Sequence, residues 1–264
     1  MGSLKLLSAY DTSSDSDGEN EELSDDMKFQ HQTDKVTENK RELLPLPPSV
    51  SRMFSEKHSH VDSPELHQGR KRTFPHQRGN WATFVFAKIP ITLEDKLRTH
   101  VLQSLNFLKT DWTICDDFHI SLSRTVSLPH HCIDPFFSEL KIGLKDFKSI
   151  SLRILASIQV YTNDENTRTF LSFPIHSDYN EILIALSKRI DTVFTRFRLQ
   201  EYYKNPSFHI SFAWICNENV KSLELINNDV GQLNHYFSNL EYDDFFQITE
   251  IICKAGNKHL TVDL

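Results

Sequence analysis

Two short runs in this 264-residue chain carry the same four residues, Phe118-His-Ile-Ser121 and Phe208-His-Ile-Ser211. Histidine is the side chain whose unperturbed pKa lies nearest neutrality, so two of them can share a reaction, one taking a proton while the other gives one. A phosphodiester flanked by a ribose 2′-hydroxyl suits such a pair. One imidazole would remove the 2′ proton, and the freed oxygen would attack the adjacent phosphorus. The second, entering as imidazolium, would protonate the departing 5′ oxygen, leaving a 2′,3′-cyclic phosphate without help from a metal. A serine two residues beyond each histidine, Ser121 or Ser211, is placed to donate to the nonbridging oxygens as charge builds there. The two motifs are nearly identical, so they do not say which histidine is base and which is acid.

This chemistry needs both histidines on one surface, and the alternation of a strand supplies it. Phe118, Ile120 and Leu122 point one way and His119, Ser121 and Ser123 the other; Phe208, Ile210 and Phe212 likewise oppose Ser207, His209 and Ser211. Around these strands the pattern predicts a strand over 81–89 closed by Pro90, then a helix capped by Thr92 with Leu93, Leu97, Val101, Leu102 and Leu105 at helical spacing. Further on it predicts a helix over 129–147, and a hairpin of 150–161 with 168–175 across the polar turn 162–167. A helix capped by Asp178 runs to 199, followed by a strand over 207–215, a helix near 218–240 and strands near 245–254 and 258–263. Strand, helix, His-bearing strand and helix thus occur in 81–147 and again in 168–240. The expected fold is α+β, a two-lobed pseudo-symmetric duplication. Each lobe would be an antiparallel sheet flanked by helices, with a central cleft where the two His-x-Ser faces meet.

Residues 1–78 are Asp-rich, Ser-rich and poor in aromatics, and read as a mostly disordered tail before a domain spanning 79–264. The tail takes 11 of the 29 Lys and Arg and 14 of the 36 Asp and Glu, leaving 18 against 22, a net of −4, for the domain. A protein that coats long nucleic acid shows a basic footprint, so this balance points to a short RNA end. Ser13, Ser14, Ser16 and Ser24 lie among acidic residues as kinase sites do, and Gly69-Arg-Lys-Arg72 resembles a nuclear import signal. Cys115, Cys132, Cys216 and Cys253 lack close pairing and read as reduced core thiols. No apolar run is long enough for a membrane helix or secretory signal. His130-His131-Cys132 and His58-Ser-His60 read as chance clusters, and neither a metal nor a cofactor is expected.

Paired H-x-Ser motifs, each in an apolar strand, resemble the 2H phosphoesterase superfamily. Tyr203-Lys-Asn-Pro-Ser-Phe-His-Ile-Ser-Phe-Ala-Trp214, Thr162-Asn-Asp-Glu-Asn-Thr-Arg-Thr-Phe170 and Phe118-His-Ile-Ser-Leu-Ser-Arg124 are similar to the phosphodiesterases that process the 3′ end of U6 small nuclear RNA. The likeness covers about residues 79–264. It implies a nuclear 3′–5′ exonuclease, expected to act as a monomer, that trims a uridine tail on a single-stranded 3′ end. It also implies His119, Ser121, His209 and Ser211 as catalytic, Tyr203 as a ring that stacks on a substrate base, and Ser207 on the binding strand. Asp164 stands in the turn where the family carries glutamine near the base, a departure that bears on base preference. Arg168 and Lys204 are candidates to attract the backbone. Two rival readings are a 2′,5′- or cyclic-phosphate phosphodiesterase on the same fold, and a noncatalytic RNA-end binding module.

Overall fold

The computed structural model describes residues 47, 64, 69, 71, 74–238 and 245–264. The chain divides into two compact units, Met1–Lys57, of which only the exposed Pro47 is described, and His58–Leu264, which holds every element below. The expected disordered tail therefore lies largely outside the described residues. In its last part the Gly69 amide donates to the Pro64 carbonyl at 2.8 Å, and Lys71 ion-pairs with Glu218.

The described elements run β1 (Asn80–Lys88), α1 (Ile91–Leu105), β2 (Thr113–Ile114), β3 (His119–Ser121), β4 (Val126–Pro129) and α2 (Ile133–Leu144). They continue with β5 (Ile150–Leu152), β6 (Gln159–Thr162), β7 (Arg168–Pro174), α3 (Asn180–Arg196) and β8 (His209–Cys216). The last are α4 (Leu223–Ser238), β9 (Phe246–Ile248), β10 (Glu250–Ala255) and β11 (Lys258–Asp263). One sheet has the order β11-β10-β1-β3-β8-β7-β6, with β2 on β8 and β4 on β1. Every pair in it is antiparallel.

This is the α+β antiparallel duplication expected from the sequence. β1 and β3 are joined by α1, and β7 and β8 by α3. The halves meet at the centre of the sheet, where Ile120 of β3 faces Ile210 of β8. The pseudo-twofold therefore passes between the two copies of Phe-His-Ile-Ser.

Strand alternation sorts the faces. On β1, Thr83, Val85 and Ala87 are buried while Phe84 and Phe86 are half-buried on the opposite side. On the buried side α1 packs Leu93, Leu97 and Val101, and α3 packs Leu183, Leu186, Ile190, Val193 and Phe194. Phe136 of α2 meets Phe194 and Phe197 edge-on at 5.3 and 5.2 Å. Phe173, Phe212 and Phe237 bring β7, β8 and α4 together, all three fully buried. Edge-to-face aromatic pairs of this kind add to the area they bury.

Several details differ from the sequence reading. α1 begins at Ile91 behind Pro90, whose carbonyl accepts the Glu94 amide at 3.0 Å, so Thr92 lies inside the first turn and the helix has no side-chain cap. Asp178 does not cap α3 either. It sits inside a 3₁₀ turn, Ser177–Tyr179, where the His176 ring accepts from its amide at 3.4 Å. The hairpin is only β6 with β7, since β5 leaves it to pair with β9 in a separate two-stranded sheet. Of the four cysteines, Cys216 and Cys253 are buried and Cys115 and Cys132 half-buried.

Candidate active site

The register at Ile120 and Ile210 decides where the polar residues go. Both isoleucines are fully buried, so His119, Ser121, His209 and Ser211 occupy the opposite face, half-buried. Antiparallel pairing sets His119 across from Ser211 and His209 across from Ser121, with the two histidines on a diagonal of about 7–8 Å between Cα atoms. The flanking strands complete the floor. β1 brings Phe86 beside Ser121 and Lys88 beside His119, while β7 brings Ser172 beside Ser211 and Pro174 beside His209.

The two imidazoles are anchored alike. His119 Nδ1 lies 3.3 Å from the Asp117 carbonyl, and His209 Nδ1 lies 2.7 Å from the Ser207 carbonyl. A carbonyl can only accept, so each contact assigns the proton to Nδ1 and leaves Nε2 as the working atom, a lone pair when neutral and a donor when charged. Burial pulls His119 below its ordinary value, against the Asp117 carbonyl and the charges of Asp117 and Glu94, with Lys254 adding to the fall. His209 is lowered by burial too, opposed by the Ser207 carbonyl and helped by the nearby His119. Both rings therefore carry neutral character near neutrality, the state a general base requires.

Their surroundings are not alike. His119 packs against Phe86 at 4.7 Å and 49°, with Phe84 at 6.3 Å. His209 lies flat on Tyr161, centroids 3.8 Å apart and planes 16° apart. The Tyr161 hydroxyl reaches Ser207 Oγ and Gln159 Oε1, both at 2.8 Å. The Ser211 hydroxyl bonds that of the fully buried Ser172 at 2.9 Å, and the Ser121 carbonyl accepts from the Tyr202 hydroxyl at 2.9 Å. Ser207 sits just before β8 rather than on it, holding His209 through its carbonyl and Tyr161 through its hydroxyl.

Tyr203 and Asp164 come together through a third residue. Arg124, three positions past Ser121, lays its guanidinium over the Tyr203 ring at 3.9 Å and ion-pairs with Asp164 Oδ2. The Tyr203 hydroxyl donates to that same oxygen at 3.3 Å. Asn163 fixes the turn that carries Asp164, accepting from the amides of Thr167 and Arg168 at 2.9 and 2.8 Å, and Asn166 takes the left-handed φ of 51° that asparagine tolerates. Tyr202, Tyr203 and Lys204 also line an open groove of about 740 Å³ along α3 that neither histidine borders.

Sequence reasoning missed Tyr161, Tyr202, Arg124 and Ser172. Arg124 closes the run 118–124 but has no role assigned to it there, and Tyr161 and Ser172 reach the site only through cross-strand pairing. It also placed Ser123 on the polar face, whereas Ser123 is buried, its hydroxyl accepting the Val85 amide at 2.8 Å. Arg168 lies over the rings of Phe170 and Trp214 at 5.2 and 5.8 Å. Among the described residues no three His, Cys, Asp or Glu side chains are grouped to hold a metal ion; His130 and His131 are exposed, and His58 and His60 lie outside those residues.

Comparison with known proteins places the chain in a family. A model of the HVSL family, described as an uncharacterised conserved protein, matches residues 44–263. U6 snRNA phosphodiesterase 1 of Xenopus laevis is 37% identical over 235 residues, 85% of this chain and 91% of that one. That of Dictyostelium discoideum is 30% identical over 99% of this chain and all of its own length. The chain belongs to the U6 snRNA phosphodiesterase 1 family. The solved structure of Kluyveromyces marxianus Usb1 with uridine monophosphate is 14% identical, with a TM-score of 0.51 over 70% of this chain and 98% of that one, a likeness of fold. For this member of the U6 snRNA phosphodiesterase 1 family, the matched span takes in both His-x-Ser motifs, the Asp164 turn and Tyr203. Among the described residues no helix is long and apolar enough to cross a membrane.

Proposed function

We propose that the chain is a 3′–5′ RNA exonuclease that trims the oligouridine tail of U6 small nuclear RNA, with His119 and His209 as its paired base and acid. The observation that carries this reading is the Ile120–Ile210 register, which sets two imidazoles, each held through Nδ1 by a backbone carbonyl, on one face of a single sheet. A ribose 2′-hydroxyl placed at one Nε2 loses its proton as the oxygen attacks phosphorus. The departing 5′ oxygen takes a proton from the other Nε2. Ser121 and Ser211 donate to the nonbridging oxygens as negative charge grows, and the shortened RNA ends in a 2′,3′-cyclic phosphate.

The names of the relatives support U6 RNA as substrate, and the uridine monophosphate held by the Kluyveromyces marxianus protein supports a uridine end. Tyr203 is the stacking surface for the terminal base, Ser207 and Asp164 border it, and the activity resides in residues 79–264 of a monomer. The acidic tail and the Gly69–Arg72 cluster suit a nuclear protein.

Purified protein incubated in excess EDTA with a 3′-hydroxyl RNA ending in several uridines is expected to shorten it one nucleotide at a time to a cyclic or linear phosphate end. His119→Ala and His209→Ala should each lower the rate by about 10²–10⁴-fold, the range one general acid or base supplies. Loss of cleavage in EDTA, or full activity in either variant, would overturn the two-histidine reading.

A further inference from the structure

Two motifs of the same sequence, related by a pseudo-twofold, must still do opposite work, one accepting a proton and one giving it. Each Nδ1 meets the backbone carbonyl two residues before it, so the tautomer is common to both, and the clearest difference is in what packs on the rings. Among the described ring pairs the one on His209 has the shortest centroid separation, 3.8 Å, and lies nearly flat at 16°, whereas the phenylalanines beside His119 are tilted and farther away. A flat stack presents the negative π-face of the phenol to the whole imidazole, and that attraction grows when the imidazole is charged. Edge strand β6 carries Tyr161, and its hydroxyl is fixed at both sides, to Ser207 Oγ and Gln159 Oε1. Ser207 is also the residue whose carbonyl holds His209 Nδ1. Tyr161, Ser207 and His209 thus form a closed frame in which ring plane and tautomer are set together.

We propose that Tyr161 is a positioning residue for the second motif: its phenol fixes the plane of the His209 imidazole and favours its protonated form, so that the two motifs differ in proton affinity. This rests on the reading of His209 as one of the catalytic pair. Among the described residues, the titratable groups around His209 are Tyr161 on β6 and His119 on β3; β7 opposes it with Pro174, and Ser207 contributes a carbonyl and a hydroxyl. The stack therefore acts against the desolvation of the same ring, whereas the rings described beside His119 are tilted, Phe86 at 49° and Phe84 at 39°.

The test is titration of the ring C–H resonances of both histidines by NMR in the full chain, beside kcat and KM on the oligouridine RNA, for wild type, Tyr161→Leu and Tyr161→Phe. In Tyr161→Leu, His209 should bind its proton about threefold to tenfold more weakly, as loss of a partly desolvated cation–π contact gives. His119 should keep its titration, and kcat should fall about tenfold with KM within about twofold, because orientation at the reacting centre is lost rather than binding. Tyr161→Phe, which keeps the ring and loses the hydroxyl contacts to Ser207 and Gln159, should restore the titration and part of kcat. An unchanged His209 titration in Tyr161→Leu, or a Tyr161→Phe variant as impaired as Tyr161→Leu, would overturn the proposal. Since titration needs no turnover, an inactive wild-type protein would defeat the exonuclease reading and still leave Tyr161 to be judged.

Discussion

At 3.9 Å from the Tyr203 ring, the Arg124 guanidinium covers one face of the proposed base platform, and Asp164 ties the cation and the phenol hydroxyl to one oxygen. The three come from the segment after the first motif, the β6–β7 turn and the segment before the second. On the proposed reading, Asp164 would act through Tyr203 and Arg124, the two side chains its carboxylate holds, rather than as a lone acceptor for a base. Stacking of one base on an aromatic ring gives about 1–3 kcal/mol by alanine substitution. Tyr203→Ala is expected to weaken binding of a short uridine-ended RNA by that amount, Arg124→Ala by less, and the double variant by less than the sum, since Arg124 works on the same ring. Fluorescence anisotropy with a labelled hexamer under non-cleaving conditions reads all three, and additive losses would separate Arg124 from the platform.

Among the elements, the strands and helices that carry the histidines were legible because their signals are local. The apolar spacing of Leu183, Leu186, Ile190, Val193 and Phe194 marks α3, and the alternation through Phe208–Phe212 marks β8. Pairing was not legible. β5 bonds to β9, nearly a hundred residues away, and no local pattern distinguishes that partner from β6. A β-bulge was equally invisible: Leu171 faces Ala213 while Ser172 faces Ser211, so Phe212 is the extra residue. It ends the clean alternation of β8, whose last five residues are all buried, and it lies next to Ser211, as bulges do beside functional residues. Ile210 lies fully buried where the halves meet. Ile210→Val should cost about 0.5–1.5 kcal/mol and Ile210→Ala about 2–5 kcal/mol, measured by urea denaturation. A cost near zero for Ile210→Ala would mean that the β3–β8 junction contributes little to holding the sheet together.

For the molecule as a whole, keeping two imidazoles half-buried makes stability depend on pH. Both histidines titrate below their ordinary 6.5 when folded, so just below that pH the unfolded chain binds more protons than the folded one. Their contribution is complete above pH 6.5 and is lost as pH falls toward the folded values. The Tm is expected to drop between about pH 7 and pH 5, and the His119→Gln/His209→Gln variant to drop less over the same span, by differential scanning calorimetry. Equal slopes would remove the histidines as its cause. The sequence alone determined the residue types, the alternation that gives His119 and Ser121 one face and His209 and Ser211 another, and the duplicated order of strands and helices, because side-chain direction is fixed by the period of the local backbone. Only the tertiary structure decided that these faces are one face, with Ile120 against Ile210, and that Tyr161, Arg124, Tyr202 and Ser172 join them. Register between strands ninety residues apart is set by how the whole core buries, and no local stretch of chain encodes it.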